Sequence, residues 1–347
     1  MLKNMLLYKM ATIQLDKPLH PFIFVGCWNN PYNTLNEGVG AGEAGGAGAE
    51  VERIPAYKRV FDTINRDPVP TLILGGDNIY PLKVKGTKER SFNLGEIRKG
   101  FNSISKESKP TIFTTLGNHN IGEPDVTELI KKLYNVPEKT YYCVDFTDAS
   151  ILFLDTNIFK KAEKLTDPIY LEMMHFVGTT IDHLHALRKP YYVVGHYPIA
   201  GMRRDENYIL RGKHMLLENL SKYPPIAILT SHLHIYQKGI IEYNPIKITQ
   251  YIVGTGGAKP DEVPILEMDG IHVGDDTFNY TVEESKNPYG YLRFTSVGSP
   301  GEFIRVMDAS VGGYRKTKRA RRGKGKGKSK GQSKKTRSKK TRNNKRN

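Results

Sequence analysis

Five short polar motifs stand out for the chemistry their side chains can do. They are Gly26-Cys27-Trp28-Asn29, Gly76-Asp77-Asn78-Ile79-Tyr80, Gly117-Asn118-His119-Asn120, Gly195-His196-Tyr197-Pro198 and Ser231-His232-Leu233-His234. Four of them offer carboxylate, phenol, amide oxygen or imidazole, the donor types that hold metal ions. Two metal ions a few Å apart can clamp the attacking and leaving oxygens of a phosphoryl transfer. Singly, each motif has a plainer reading. Asp77-Asn78 suits a turn after a strand, and Asn118-His119-Asn120 suits a polar turn. His232 and His234, two apart on an extended segment, face the same way. The ordered set favours a metal site over a series of unrelated turns.

Such a site needs elements that bring distant motifs together. An apolar run precedes each motif: Phe22–Val25, Thr71–Leu74, Thr111–Leu116, Tyr191–Val194 and Ile226–Leu229. These read as strands, and in open α/β sheets ligands bind beyond the carboxyl ends of the strands. Helices are predicted over Val51–Arg66, Phe92–Ile104, Asp125–Tyr134 (with Asp125 as N-cap), Asp167–Leu187 and Asn207–Leu220. Tyr141–Phe146 and Ile151–Leu154 read as paired strands. After His234 only strands are predicted: Gly239–Tyr243, Ile246–Val253, Tyr289–Val297 and Glu302–Met307. Helical crossovers followed by an antiparallel finish predict an α/β fold, a two-sheet α/β sandwich. Gly254–Gly257 ends a strand at the same rim, where it lets backbone approach the site. Asn36–Glu50 is Gly/Ala-rich and lacks any Gly-Lys-Ser/Thr signature, so it reads as a flexible insertion.

The ordered motifs resemble the calcineurin-like metallophosphoesterases, and within them the purple-acid-phosphatase-like branch. That branch reads Asp-x-Gly, Gly-Asp-x-x-Tyr, Gly-Asn-His-Asp/Glu, Val-x-x-His and Gly-His-x-His. The second motif matches in full, and so does the fourth as Val193-Val194-Gly195-His196. Asn120 replaces an acid, Ser231 replaces a glycine, and Cys27 stands where the family puts a metal-binding Asp. The resemblance spans roughly Phe22 to Met307. It implies a two-sheet sandwich and hydrolysis of phosphoesters, monoesters foremost, by a metal-bound hydroxide at a dinuclear site. It implies Asp77 as the bridging ligand and Tyr80 as a phenolate ligand. Asn118, His196 and His232 would hold the second metal and His234 the first. His119 would be no ligand but would stabilise the transition state and protonate the leaving oxygen. The alternative is a catalytically weakened binding or virion structural protein that kept the fold.

Cys27 decides between these. Its thiolate would move the preference of the first site from manganese toward iron or zinc. Alternatively Cys27 packs beneath the rim and Asn29, Asn30 or a water fills its place. Trp28 is expected to shield the rim or to pack on substrate. His20, His175, His183, His185, His214 and His272 stand outside the motifs and read as structural or surface groups.

Charge divides the chain. The net charge is +16, yet eighteen of the 52 Lys/Arg lie between Gly312 and Asn347, where there is no Asp/Glu; that leaves 34 to set against 36 acids. Residues 21–311 therefore read as one large domain, 1–20 as an extension and 312–347 as a disordered cationic tail. The tail resembles in style the Lys/Arg-Thr-rich tails of proteins from large eukaryotic DNA viruses. Its expected partner is nucleic acid or another anionic surface, without sequence specificity; a nuclear-import signal and a plain solubilising tail are the other readings. Two cysteines make no disulfide framework, and Met1–Met10 is too short an apolar stretch for a signal peptide or membrane span. An intracellular setting is expected; for a viral protein that means the host's nucleus or cytoplasm, or the virion.

Overall fold

A computed structural model describes residues 11–36, 53–83, 90–104, 110–121, 123–161, 166–204, 206–264, 271–274 and 278–306. The Gly/Ala-rich stretch from residue 37 and the basic tail lie outside the described residues.

Two mixed sheets carry the fold. The smaller has five strands in the order Glu302–Arg305, Gly290–Phe294, Phe22–Val25, Thr71–Leu74 and Thr111–Thr114. Its last three run parallel, with Phe22 opposite Thr71 and Thr71 opposite Thr111. The larger has nine: Thr12–Gln14, Tyr142–Asp145, Ser150–Phe153, Tyr191–Val194, Ala227–Thr230, Ile246–Val253, Tyr236–Tyr243, Phe278–Lys286 and Ile271–Gly274. Ser150–Phe153 through Ile246–Val253 form its parallel centre.

Strands buried on both faces read as unbroken apolar runs rather than alternating ones. Phe22–Val25, Thr71–Leu74, Tyr191–Val194 and Ala227–Thr230 are buried at every position, as that rule requires. Aromatic rings from both sheets meet between them. Phe22 lies 5.2 Å from Tyr192, Phe294 5.3 Å from Tyr192, and Phe113 6.2 Å from Phe153, centroid to centroid. His20 closes this seam: Nδ1 is 2.8 Å from Asp148 Oδ2 and Nε2 3.0 Å from the Tyr192 hydroxyl. It is a structural histidine, as the sequence suggests.

The helices differ from expectation at their starts. The first described helix is Ala56–Arg66, not Val51–Arg66, because Arg53–Pro55 pairs as a strand with Thr34–Asn36. Pro55 cannot donate within a helix and holds Ile54 extended, so the helix begins after it. Its buried face is Tyr57, Val60, Phe61 and Ile64, at helical spacing. The third helix is Pro124–Leu133, flanked by Glu123 with no side-chain cap. Asp125 sits in its first turn and does not cap it; Pro124 fills the first position. The expected helix Asp167–Leu187 is Pro168–Ala186, and Asp167 caps it instead of opening it, with Ile169 N donating to Asp167 Oδ1 at 3.1 Å.

The expected helix Asn207–Leu220 is two elements. Glu206–Ile209 is a strand paired with Ala200–Arg203, and the helix is Lys213–Lys222. Gly212, at φ 74°, turns the chain between them in a conformation that favours glycine. Phe278–Lys286 went unpredicted although Phe278–Val282 alternates buried and half-buried positions, the period of a strand. Among the described residues no helix is long and apolar enough to cross a membrane.

Candidate metal centre

Every motif-bearing strand ends at one rim. There the ladders continue one residue past the strands: Gly75 N donates to Val25 O at 2.8 Å and Gly195 N to Leu229 O at 3.0 Å. The sheets also join, with Gly26 N donating to Val253 O at 2.9 Å. The chain then turns sharply. Cys27, Asp77 and His232 have φ of 52°, 50° and 62°. Left-handed backbone at a non-glycine residue costs roughly 1–2 kcal/mol. Three such residues at one rim follow the pattern of functional sites, which hold strained backbone. Gly117 must be glycine: a Cβ there would sit 2.1 Å from Asp77 Oδ1.

The side chains gather into two halves that share Asp77. In one, the ligand atoms of Cys27, Asp77 and His234 all lie within 4.8 Å of one another, with Cys27 Sγ 4.0 Å from Asp77 Oδ2. The Tyr80 hydroxyl is 3.1 Å from His234 Nε2. In the other half Asn118 Oδ1 is 3.0 Å from His196 Nε2 and 3.1 Å from His232 Nδ1. His196 Nε2 is also 3.5 Å from Asp77 Oδ2. All seven ligand residues expected from the sequence, Cys27, Asp77, Tyr80, Asn118, His196, His232 and His234, thus stand at one place. His119 is beside them: its backbone N donates to Asp77 Oδ1 at 3.0 Å, and its ring centroid is 4.6 Å from that of Tyr80.

Hydrogen bonds behind the rim set the imidazoles. His196 Nδ1 is 2.9 Å from Gly75 O and His234 Nδ1 is 2.9 Å from Lys259 O. A carbonyl only accepts, so each Nδ1 carries a proton, which in a neutral imidazole leaves Nε2 with the lone pair that a metal would take. The His196 lone pair then faces Asn118 Oδ1, another acceptor, across 3.0 Å. A cation between them would satisfy both atoms, and the imidazole, amide-oxygen and carboxylate donors gathered here are of the types that fit a metal ion.

Electrostatics agree. Burial foremost, then the repulsion a protonated ring would meet from His196, His234, Lys160 and Arg203, pushes His232 down to about 2, which favours the neutral imidazole. Burial also lowers His234. Burial and then the Asp77 carboxylate push the Cys27 thiol up; burial, Cys27 and Asp77 push up the Tyr80 phenol. Potential anions crowd one point, and a bound cation inverts that penalty by favouring their deprotonated forms.

Departures from the family pattern have local explanations. Ser231 Oγ hydrogen-bonds Gly75 O and lies 3.0 Å from His196 Nδ1. Its Cβ fills space left by Gly26, where a Cβ would come within 2.4 Å of it. Asn120 Oδ1 accepts from Gly117 N at 2.9 Å and Asn78 N at 3.2 Å. An amide oxygen accepts these bonds as a carboxylate oxygen would.

Trp28 neither shields the rim nor reaches substrate. It is fully buried, with Nε1 donating to Asn78 Oδ1 at 2.9 Å and its ring edge-on to Phe61 at 4.8 Å. Asn29 is not poised to replace Cys27 either. Its amide lies against Gly100 and donates to Glu96 O at 3.3 Å. Sequence reasoning missed Asp261, whose Oδ2 accepts from His234 N at 2.9 Å, and Lys259, whose carbonyl orients the His234 ring. Neither belongs to a motif; only the fold brings their loop under His234. A cleft of about 580 Å³, lined in part by Tyr289, Phe303 and Arg305, contains none of the seven ligand residues and is bordered by Pro260 and Val263 of that loop.

No family model matches the sequence, and no curated protein matches it. Solved structures do. One is GAP50, the anchor in the inner membrane complex of Plasmodium: 14% identity, 83% of this chain and 88% of that chain, TM-score 0.50. Another is purple acid phosphatase PPD1 from yellow lupin (Lupinus luteus) seeds: 13% identity, 84% of this chain and 53% of that chain, TM-score 0.54. At such identities the likeness is one of fold. With two mixed sheets whose parallel centres end at a common rim, this chain has the α/β fold of the calcineurin-like metallophosphoesterases.

Proposed function

We propose that the protein hydrolyses phosphoesters, monoesters foremost, at a pair of metal ions. The carrying observation is the shared Asp77: it joins a Cys27–Tyr80–His234 half to an Asn118–His196–His232 half. When bound, the ions supply positive charge to draw in phosphoryl oxygens and to acidify a water. Asp77 Oδ2 faces both halves and sets their separation. Gly75 O and Lys259 O accept from the Nδ1 atoms of His196 and His234 and so would leave their Nε2 atoms to hold the ions. Asp77 Oδ1, accepting from His119 N, fixes that residue at the rim, where the imidazole would hand a proton to the leaving oxygen. No side chain in the set serves as a covalent nucleophile. Phosphate release from a panel of monoesters and diesters, with protein reconstituted in iron, zinc or manganese, tests this. Release under any metal supports it, and none under all of them contradicts it.

The thiolate sets the metal. Sulfur is a softer ligand than carboxylate, so iron or zinc is favoured over manganese in the Cys27 half. Cys27→Ser is expected to lower iron or zinc content, and Cys27→Asp to raise manganese-supported activity. Elemental analysis of both variants checks this; unchanged metal and activity in both would make Cys27 a packing residue.

A second reading is supported by the same residue. Cys27 replaces an acid, and a protein of similar fold is described as an anchor in the inner membrane complex of Plasmodium. A binding role without turnover would show as metal uptake with no phosphate release from any ester.

The tail adds an electrostatic tether to nucleic acid or another anionic surface. Eighteen positive charges without an acidic partner bind polyanions by releasing counterions. Affinity for unrelated duplexes is expected to fall with salt, with a log–log slope of about −0.9 per phosphate contacted. Removing Gly313–Asn347 should abolish most of that affinity and spare hydrolysis of small esters. Retained binding after truncation would place the surface in the folded body.

A further inference from the structure

Beside the Asn118–His196–His232 half stands a group that the metal centre does not use. The Tyr197 and Tyr208 rings lie parallel, 5.9 Å apart and 3° between planes. Tyr197 packs on His232 at 4.2 Å and Tyr208 at 5.7 Å. Lys160 Nζ sits over both tyrosine rings, 5.1 Å from one centroid and 5.3 Å from the other. Ring faces attract an ammonium and hold it in place without neutralising it. Among the described residues no carboxylate pairs with Lys160, whereas the neighbouring Arg203 is committed to Glu206 and Asp261.

The segment carrying Lys160 is tied to the centre. Thr156 Oγ1 accepts from His196 N at 3.1 Å and Tyr197 N at 2.8 Å. Asn157 Nδ2 donates to Leu116 O at 2.8 Å, which links the same segment to the strand end before Asn118. A cation with no carboxylate partner among the described residues is thereby held one aromatic ring away from His232, a ligand in the proposed centre. In the proposed centre the residues around Asp77 would hold the ions that take the reacting phosphoryl group. An ammonium just outside them meets the next anionic group of the same substrate, and lysine serves phosphate well as a point charge.

We propose that Lys160, seated on Tyr197 and Tyr208, forms an anion subsite that takes the second phosphate of a diphosphate-bearing substrate; this rests on the metal-centre reading above. The test is equilibrium dialysis with full-length, metal-loaded protein and three probes. These are AMP, α,β-methylene-ADP, and methylenediphosphonate as the nucleoside-free diphosphate. Metal content is measured after dialysis. The wild type should bind α,β-methylene-ADP about tenfold more tightly than AMP, the effect of one charge-assisted contact. Lys160→Met should erase that preference and Lys160→Arg should keep it. Lys99→Met, a change at an exposed surface lysine, should leave it unaltered. Retention of methylenediphosphonate alone would assign the subsite to free diphosphates, and of both diphosphates to nucleotides as well. An equal AMP and α,β-methylene-ADP affinity in the wild type with no diphosphonate binding, or a preference that survives in Lys160→Met, overturns the proposal. The probes resist cleavage, so a Lys160-dependent preference in a protein that hydrolyses nothing would sink the catalytic reading and leave the subsite. Hydrolysis of monoesters without the preference would do the reverse.

Discussion

Asp77→Asn is expected to abolish phosphate release and to deplete both metals. The side chain is buried, its Oδ2 lies 4.0 Å from Cys27 Sγ and 3.5 Å from His196 Nε2, and its Oδ1 already accepts from His119 N. Asparagine keeps the size and the acceptor but removes the only carboxylate within the motifs. The rate should fall by more than the ~10²–10³-fold that losing a single transition-state donor costs. Metal-free protein should be no less stable than wild type, because a buried charge beside a thiol and a phenol has been neutralised. Thermal melting with and without metal, elemental analysis and a release assay on one preparation check all three points. Near-wild-type release with metal retained would remove Asp77 from the centre.

His119→Ala should behave differently. Its ring lies on Tyr80, and it belongs to neither ligand group. Metal content should stay at the wild-type level while the catalytic constant falls by about 10²–10⁴-fold, the usual contribution of a general acid. An ester with a good leaving group such as nitrophenol departs without help, so the loss should shrink for it. Depletion of metal in this variant would make His119 a ligand instead.

How far the sequence carries depends on which forces are local. Phe22–Val25, Thr71–Leu74, Tyr191–Val194 and Ile246–Val253 were readable to the residue, since burial demands apolar runs and glycines or polar motifs bound them. The convergence of Asp77, Asn118, His196 and His232 followed from placing each at a parallel strand end. The hairpin Ala200–Arg203 with Glu206–Ile209 was missed although Tyr208 and Ile209 favour strands, because its partner Ala200-Gly201-Met202-Arg203 carries no strand pattern and the run continues into the real helix Lys213–Lys222. The burial of Trp28 depends on Asn78, Tyr57 and Phe61, all brought in by tertiary contacts. Likewise nothing local marks Cys27, Asp77 and His232 as left-handed; that strain is imposed where two sheets meet.

The most direct measurement is anomalous diffraction from crystals of the protein loaded with iron or zinc. Two peaks a few Å apart are expected, one bonded to Cys27 Sγ at about 2.3 Å with Asp77, Tyr80 and His234 around it. The other should lie among Asn118, His196 and His232, with Asp77 touching both. A rim without anomalous signal in metal-replete crystals, or ions held elsewhere on the chain, would contradict the account.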